Sequence, residues 1–156
     1  MRYRQRIEPI LETVLKWAKA QSTIRAVALV GSHARGIARP DSDIDLMLLT
    51  AHSDAFHADN TWVHQIDWHR IDTHPEKWRD DNYGVAWSRH ICLAADPIQA
   101  ELTFAPLFWA KADRPDAGTR RVISDGCRIL YDPDALLARL CEAVGRIKRA
   151  DSRDPC

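Results

Sequence analysis

No apolar run in this chain approaches the roughly 20 residues that a membrane-spanning helix needs. Nor does an apolar signal core stand behind the arginines of the opening "MRYRQRIEPI". The expectation is a soluble, cytoplasmic protein. Net charge is absent too: 22 Lys plus Arg balance 22 Asp plus Glu, so no overall field draws the chain toward nucleic acid or an anionic membrane, and any anion site must be local. The four cysteines, Cys92, Cys127, Cys141 and Cys156, make no C-x-x-C pair, which leaves them most simply as free thiols. Internal repeats and low-complexity runs are also missing.

What is present suits one compact domain. With 156 residues, 46% of them apolar, the chain can bury a proper core but not two. The expected domain covers residues 1–148, and the polar end from Arg149, "RADSRDPC", is expected to be a frayed tail. Ile7, Ile10, Leu11, Val14, Leu15 and Ala18 recur at helical spacing over residues 5–20. The unbroken run Ala26–Val30 reads as a strand buried on both faces. From Asp43 to Leu49, Ile44, Leu46 and Leu48 alternate with Asp43, Asp45 and Met47, as a strand with one face in the core requires.

Residues 50–84, rich in His, Asp and Trp, read as loop and short helix. Beyond them "AWSRHICL" and "IQAELTF" flank "AADP" as a hairpin. In its second arm Ile98, Ala100, Leu102 and Phe104 face one way, and Gln99, Glu101 and Thr103 the other. A short helix over Thr119–Asp125 closed by Gly126, a strand "CRILY", and a last amphipathic helix follow, with Asp132 as N-cap and Pro133 at the first helical position. The fold class is mixed α/β (α+β), a sheet of about four or five strands with flanking helices.

The chemistry concentrates in "GSHARGIARPDSDIDLMLL", Gly31 to Leu49. Two carboxylates at i and i+2 of a strand project side by side within about 7 Å and can share a divalent cation. Oxygen ligands favour Mg²⁺ or Mn²⁺. Gly31 lets a phosphate approach the backbone, and the Ser32 hydroxyl and nearby amides, in a short helical turn "SHAR", can donate to it. Together these describe a site for a metal-bound nucleoside triphosphate.

An apolar strand, Gly-Ser, ten residues and then Asp-apolar-Asp-apolar, here "VALVGS" and "DIDL", resembles the signature of the nucleotidyltransferase superfamily. That superfamily includes DNA polymerase beta and the aminoglycoside and lincosamide nucleotidyltransferases. The resemblance covers residues 26–49 and, more weakly, "AELTFAPLFWA" and "VISDGCRILYDPDALLARL", which look like small stand-alone bacterial members. It implies a nucleotidyltransferase fold in which Asp43 and Asp45 hold metal and a third carboxylate on a later strand completes the site. Glu101, polar-facing in mid-strand, is the choice for that place, with Asp72 and then Asp67 as rivals. Gly31, Ser32, Arg35 and Ser42 are assigned to the nucleotide, Arg35 ahead of Arg39. His33 stands where related proteins frequently carry a basic residue after Gly-Ser.

Other features have plainer readings. The gaps among His52, His57, His64, His69 and His74 fit neither a helix face nor a zinc finger. Trp87 and Trp109 suit core packing, while Trp62 and Trp68 are open between core and stacking roles. Arg146, Lys148 and Arg149 suit the end of the last helix dipole.

The resemblance implies Mg²⁺-dependent transfer of a nucleoside monophosphate, by default AMP from ATP, to a hydroxyl acceptor with release of pyrophosphate. Glu101 would bind metal or take the acceptor's proton. The alternative is an antitoxin-like or partner-binding module of the same fold that modifies a protein or is catalytically silent. The acceptor half of the site falls in the least regular part of the sequence.

Overall fold

The computed structural model describes residues 3–94 and 98–152. Its first helix, α1 (Tyr3–Ala20), buries Ile7, Ile10, Leu11, Val14 and Ala18, because their spacing stacks them on one face. Strand β1 (Ile24–Val30) follows, then the short helix α2 (Gly31–Arg35) and strand β2 (Ile44–Thr50). The chain continues through α3 (Ser53–Ala58), α4 (Trp62–Gln65), a 3-10 turn Trp68–Ile71, β3 (Pro75–Asn82), β4 (Trp87–Leu93) and β5 (Gln99–Ala105). A second 3-10 turn, Leu107–Ala110, then leads to α5 (Ala117–Ser124), β6 (Cys127–Tyr131) and α6 (Leu136–Ser152).

The six strands form one mixed sheet in the order β3-β4-β5-β2-β1-β6. β2 and β5 run parallel, and the other neighbours are antiparallel. Among the described residues one strand more than expected is present, and it is β3. Its residues are mostly exposed, since it lies at the sheet edge and opens with Pro75, so no apolar alternation marked it. The hairpin of β4 and β5 has the expected pairing, and residues 95–97 of its "AADP" corner lie outside the described residues.

Both faces of the sheet are covered. On one, Val27, Leu29, Ile44, Leu46, Leu48, Leu102 and Phe104 pack with α1 and with Trp62 and Trp68. The open reading of those two tryptophans therefore resolves to the core. Each fully buried leucine there contributes about 1.5–3 kcal/mol. On the other face Ala26, Ala28, Met47, Leu49 and Ala105 pack against Trp109, Ile123, Leu137, Leu140 and Val144. The side of β2 that carries Asp45 is thus itself a core face further along, where Met47 and Leu49 lie under α6 and the Leu107–Ala110 turn.

The start of α6 differs from expectation. Pro133 is not its first residue; the helix begins at Leu136, after Ala135 takes a left-handed φ of 56°. Asp132 still caps it, accepting from the Leu137 and Ala138 amides at 3.2 and 2.8 Å. At the other end α6 runs to Ser152, so residues 149–152 of the expected tail are helical, and residues 153–156 lie outside the described residues. Among the described residues no helix is long and apolar enough to cross a membrane.

Candidate functional site

β1 ends and α2 begins at Gly31, whose φ of 76° is left-handed, a conformation that suits glycine. A Cβ there would overlap Asp45 Oδ2. The turn and the second aspartate of "DIDL" are therefore in direct apposition. α2 rests on the far side against Gly126, where a Cβ would come within 2.7 Å of Arg35 Cγ.

β5 lies beside β2 in a register that pairs Asp45 with Glu101. Side chains of paired residues in adjacent strands project from the same face, so the two carboxyl groups meet and hydrogen-bond. Burial, the Glu101 hydrogen bond and the charges of Glu101 and Asp43 push the Asp45 pKa from 3.8 up to about 8. Asp45 accordingly keeps its proton at neutral pH and donates it to Glu101. Asp43, just before β2 and half-buried, acts on this pair through its charge.

The donor set fits a hard divalent cation. Carboxylate oxygens crowded enough to retain a proton are relieved when a cation replaces it. Among the described residues no three His, Cys, Asp or Glu side chains gather as an ion would need. Mg²⁺, however, is typically held by one or two carboxylates together with substrate phosphates and water. The Asp45–Glu101 pair is sufficient as the protein's share.

A pocket of about 510 Å³ opens above the pair, lined by Gly31, Arg35, Asp45 and Glu101 on its polar side and by Met47, Val85, Ala86, Trp109 and Val122 on its apolar side. Asp116 and Asp125, both exposed, stand at its edge. This size and mixture suit a nucleotide-sized ligand.

Four residues around Glu101 were not anticipated from the sequence. Tyr83 OH donates to Glu101 Oε1 at 3.4 Å. The His90 ring, with a side chain 7% exposed, brings Nε2 within 3.4 Å of the same oxygen and 2.8 Å of Asp81 Oδ2. Ser88 and Thr103 pair hydroxyls at 2.6 Å. The one local signal was the polar alternation of Ser88 and His90 in "AWSRHICL". Its importance depends on β4 pairing with β5, which sets His90 opposite Glu101.

The other anticipated residues are placed as follows. Arg35 lines the pocket. Ser32 lies in α2 next to Gly31. Ser42 belongs to the loop before β2, where its hydroxyl accepts from the Arg39 amide at 2.8 Å. Its carbonyl accepts from His33 Nε2 at 3.0 Å, so His33 ties this loop to α2. Asp72 is exposed and ends the Trp68–Ile71 turn in a left-handed conformation, φ 56°. Neither Asp72 nor Asp67 lines the pocket.

A glycine turn ending one strand, an aspartate beside it on the next, and a carboxylate on the parallel neighbour stand together where the nucleotidyltransferase signature implies them. The streptomycin adenylyltransferase family model matches residues 1–148, and the chain belongs to that family. No curated protein matches it. Among solved structures, it is similar to a chain of the "Crystal structure of the toxin-antitoxin with AMP-PNP", at 11% identity and a TM-score of 0.43 over 90% of this chain and 89% of the other.

Proposed function

We propose that this protein transfers a nucleoside monophosphate, AMP from ATP, to a hydroxyl acceptor and releases pyrophosphate. The observation that carries this reading is the Asp45–Glu101 pair, hydrogen-bonded across β2 and β5 beneath the Gly31 turn. Gly31, the Ser32 amide and hydroxyl, and Arg35 receive the outer phosphates, where backbone donors and a guanidinium suit phosphate oxygens. Ser42 holds the loop that delivers Asp43. The apolar wall of Met47, Val85, Trp109 and Val122 receives the nucleoside.

Asp45 and Glu101, with the charge of Asp43 beside them, would hold Mg²⁺ or Mn²⁺ together with the substrate phosphates, and the ion when bound would neutralise phosphate charge and stabilise the leaving pyrophosphate. Glu101 accepts the proton of the acceptor hydroxyl. The hydroxyl oxygen then bonds to the α-phosphorus as the bond to the β-phosphate bridging oxygen breaks.

A protein acceptor is the second reading. It is favoured by the apolar groups exposed where the pocket opens, Tyr83 at 57% and Val85 at 54%. Pyrophosphate release measured over the four nucleoside triphosphates, with Mg²⁺ or EDTA and with small hydroxylated compounds or tyrosine-bearing peptides, separates the two. Turnover that requires Mg²⁺ and disappears in Asp43→Asn and Asp45→Asn supports nucleotidyl transfer. Equal release by those variants would refute it.

A further inference from the structure

We propose that Tyr83 is itself an acceptor, so that the protein nucleotidylates the turn of its own β3–β4 hairpin. This rests on the nucleotidyl-transfer reading above and adds a modification site to it. The Tyr83 hydroxyl donates to Glu101 Oε1 at 3.4 Å, the oxygen to which that reading assigns the acceptor's proton. Productive proton transfer needs about 2.6–3.2 Å, and resting sites are commonly longer and tighten with substrate bound. Tyr83 also lines the same pocket as Gly31 and Asp45. A nucleophile and its base therefore already stand together where the α-phosphate is to bind.

Other hydroxyls in the pocket wall are committed elsewhere. Thr103 pairs with Ser88 at 2.6 Å, and Thr119, 3% exposed, donates to the Trp109 carbonyl at 3.5 Å. Tyr83 is 57% exposed. The turn beneath it is closed by Tyr83 N–H to the Ala86 carbonyl and Gly84 N–H to Asn82 Oδ1, both 2.8 Å. The backbone is held while the ring stays at the surface.

The step balances without a further reagent. The phenol oxygen bonds to the α-phosphorus of the nucleoside triphosphate, the bond from that phosphorus to the β-phosphate bridging oxygen breaks, and pyrophosphate leaves. The phenol proton passes to Glu101 and then to water. The product is an aryl phosphodiester on Tyr83. Because base and nucleophile share one pocket, the reaction is intramolecular.

The full chain is incubated with Mg²⁺ and each nucleoside triphosphate, with no added acceptor, and followed by intact mass and peptide mapping. Expected is one nucleoside monophosphate per chain on Tyr83, at a fractional rate unchanged by tenfold dilution. The label should be absent in Tyr83→Phe, retained in Tyr131→Phe, and slowed at least about a hundredfold in Glu101→Gln. Thermal melting verifies that the variants fold. An unlabelled Tyr83 in protein that does transfer nucleotide to an added hydroxyl compound overturns this inference alone. Protein that neither labels itself nor turns over any triphosphate overturns both readings. Label on Tyr3 or Tyr131, or label that persists in Tyr83→Phe, overturns the assignment to Tyr83.

Discussion

Asp45 and Glu101 stand opposite each other in the parallel register of β2 and β5, and one proton holds their carboxyl groups together. A site built to share a proton between carboxylates can equally share a cation, and the two states have opposite pH behaviour.

The sign follows from Asp45. Its pKa is about 8 in the fold against 3.8 without it, so between these values the native state binds a proton that the unfolded chain lacks. The resulting stabilisation is complete below about pH 4 and is lost as pH rises through about 8. Asparagine mimics the protonated acid. In EDTA, Asp45→Asn should therefore melt close to the parent at about pH 4 and increasingly above it as pH rises to about 9, by roughly 2–4 °C for each kcal/mol of repulsion relieved. Mg²⁺ should raise the parent at the higher pH and not the variant. A melting difference independent of pH would refute the shared proton.

Gly31 permits the contact between turn and carboxylate. Gly31→Ala places a methyl on Asp45 Oδ2 and forces alanine to the left-handed φ of 76°, a backbone cost of about 1–3 kcal/mol. Urea unfolding should show that loss, and calorimetry should show weakened binding of Mg²⁺-nucleotide. Unchanged affinity in a folded variant would mean that the nucleotide does not use this turn.

A buried arginine paired with a partly exposed aspartate on the opposite sheet face anchors the hairpin that carries Tyr83. Arg89, with a side chain 1% exposed, makes two hydrogen bonds to Asp80 at 2.7 and 2.8 Å. Its guanidinium lies 5.2–5.8 Å from the ring centres of Trp62, Trp78 and Trp87. Asp80→Ala leaves that charge buried and should cost about 3–5 kcal/mol in urea unfolding. Arg89→Met removes the charge and should cost much less, since Asp80 is 28% exposed and can hydrate. The Arg89 hydrogen bonds lower the Asp80 pKa, so its contribution holds above the ordinary carboxylate range and is lost as pH falls through the lowered value. Equal losses in the two variants would contradict this account.

The parts legible in the sequence are those whose signal is local. Gly31 ends an unbroken apolar run, Asp45 and Glu101 sit in strands with regular alternation, and the spacing between Gly-Ser and "DIDL" needs no long-range information. β3 was not legible, because an exposed edge strand such as "PEKWRDDN" buries too little on either face to alternate. Tyr83 was missed because it follows that unread edge strand. His90 lies in the expected hairpin, but the register that sets it opposite Glu101 is not written in the local alternation of either arm. Trp62 and Trp68 sit in polar sequence, yet their indole N–H groups each donate to a carbonyl at 2.8 Å, of Phe56 and Val63 respectively. That is how such residues enter a core.

The remaining expectation separates Glu101 from Asp72. Glu101 is paired with Asp45 and lines the pocket, whereas Asp72 is exposed and ends a 3-10 turn, its amide donating to the His69 carbonyl at 3.1 Å. Glutamine at position 101 keeps the shape and removes the basic oxygen, so transfer should slow at least about a hundredfold, the low end for a lost general base. Nucleotide should still bind through Asp43, Asp45 and the Gly31 turn. Asparagine at position 72 tolerates the left-handed backbone and should leave rates close to the parent. Single-turnover rates with saturating Mg²⁺-nucleotide decide between the two, because they isolate chemistry from binding. A slower Asp72→Asn than Glu101→Gln would remove Glu101 from the reaction and require the loop of Asp72 to close over the pocket during transfer.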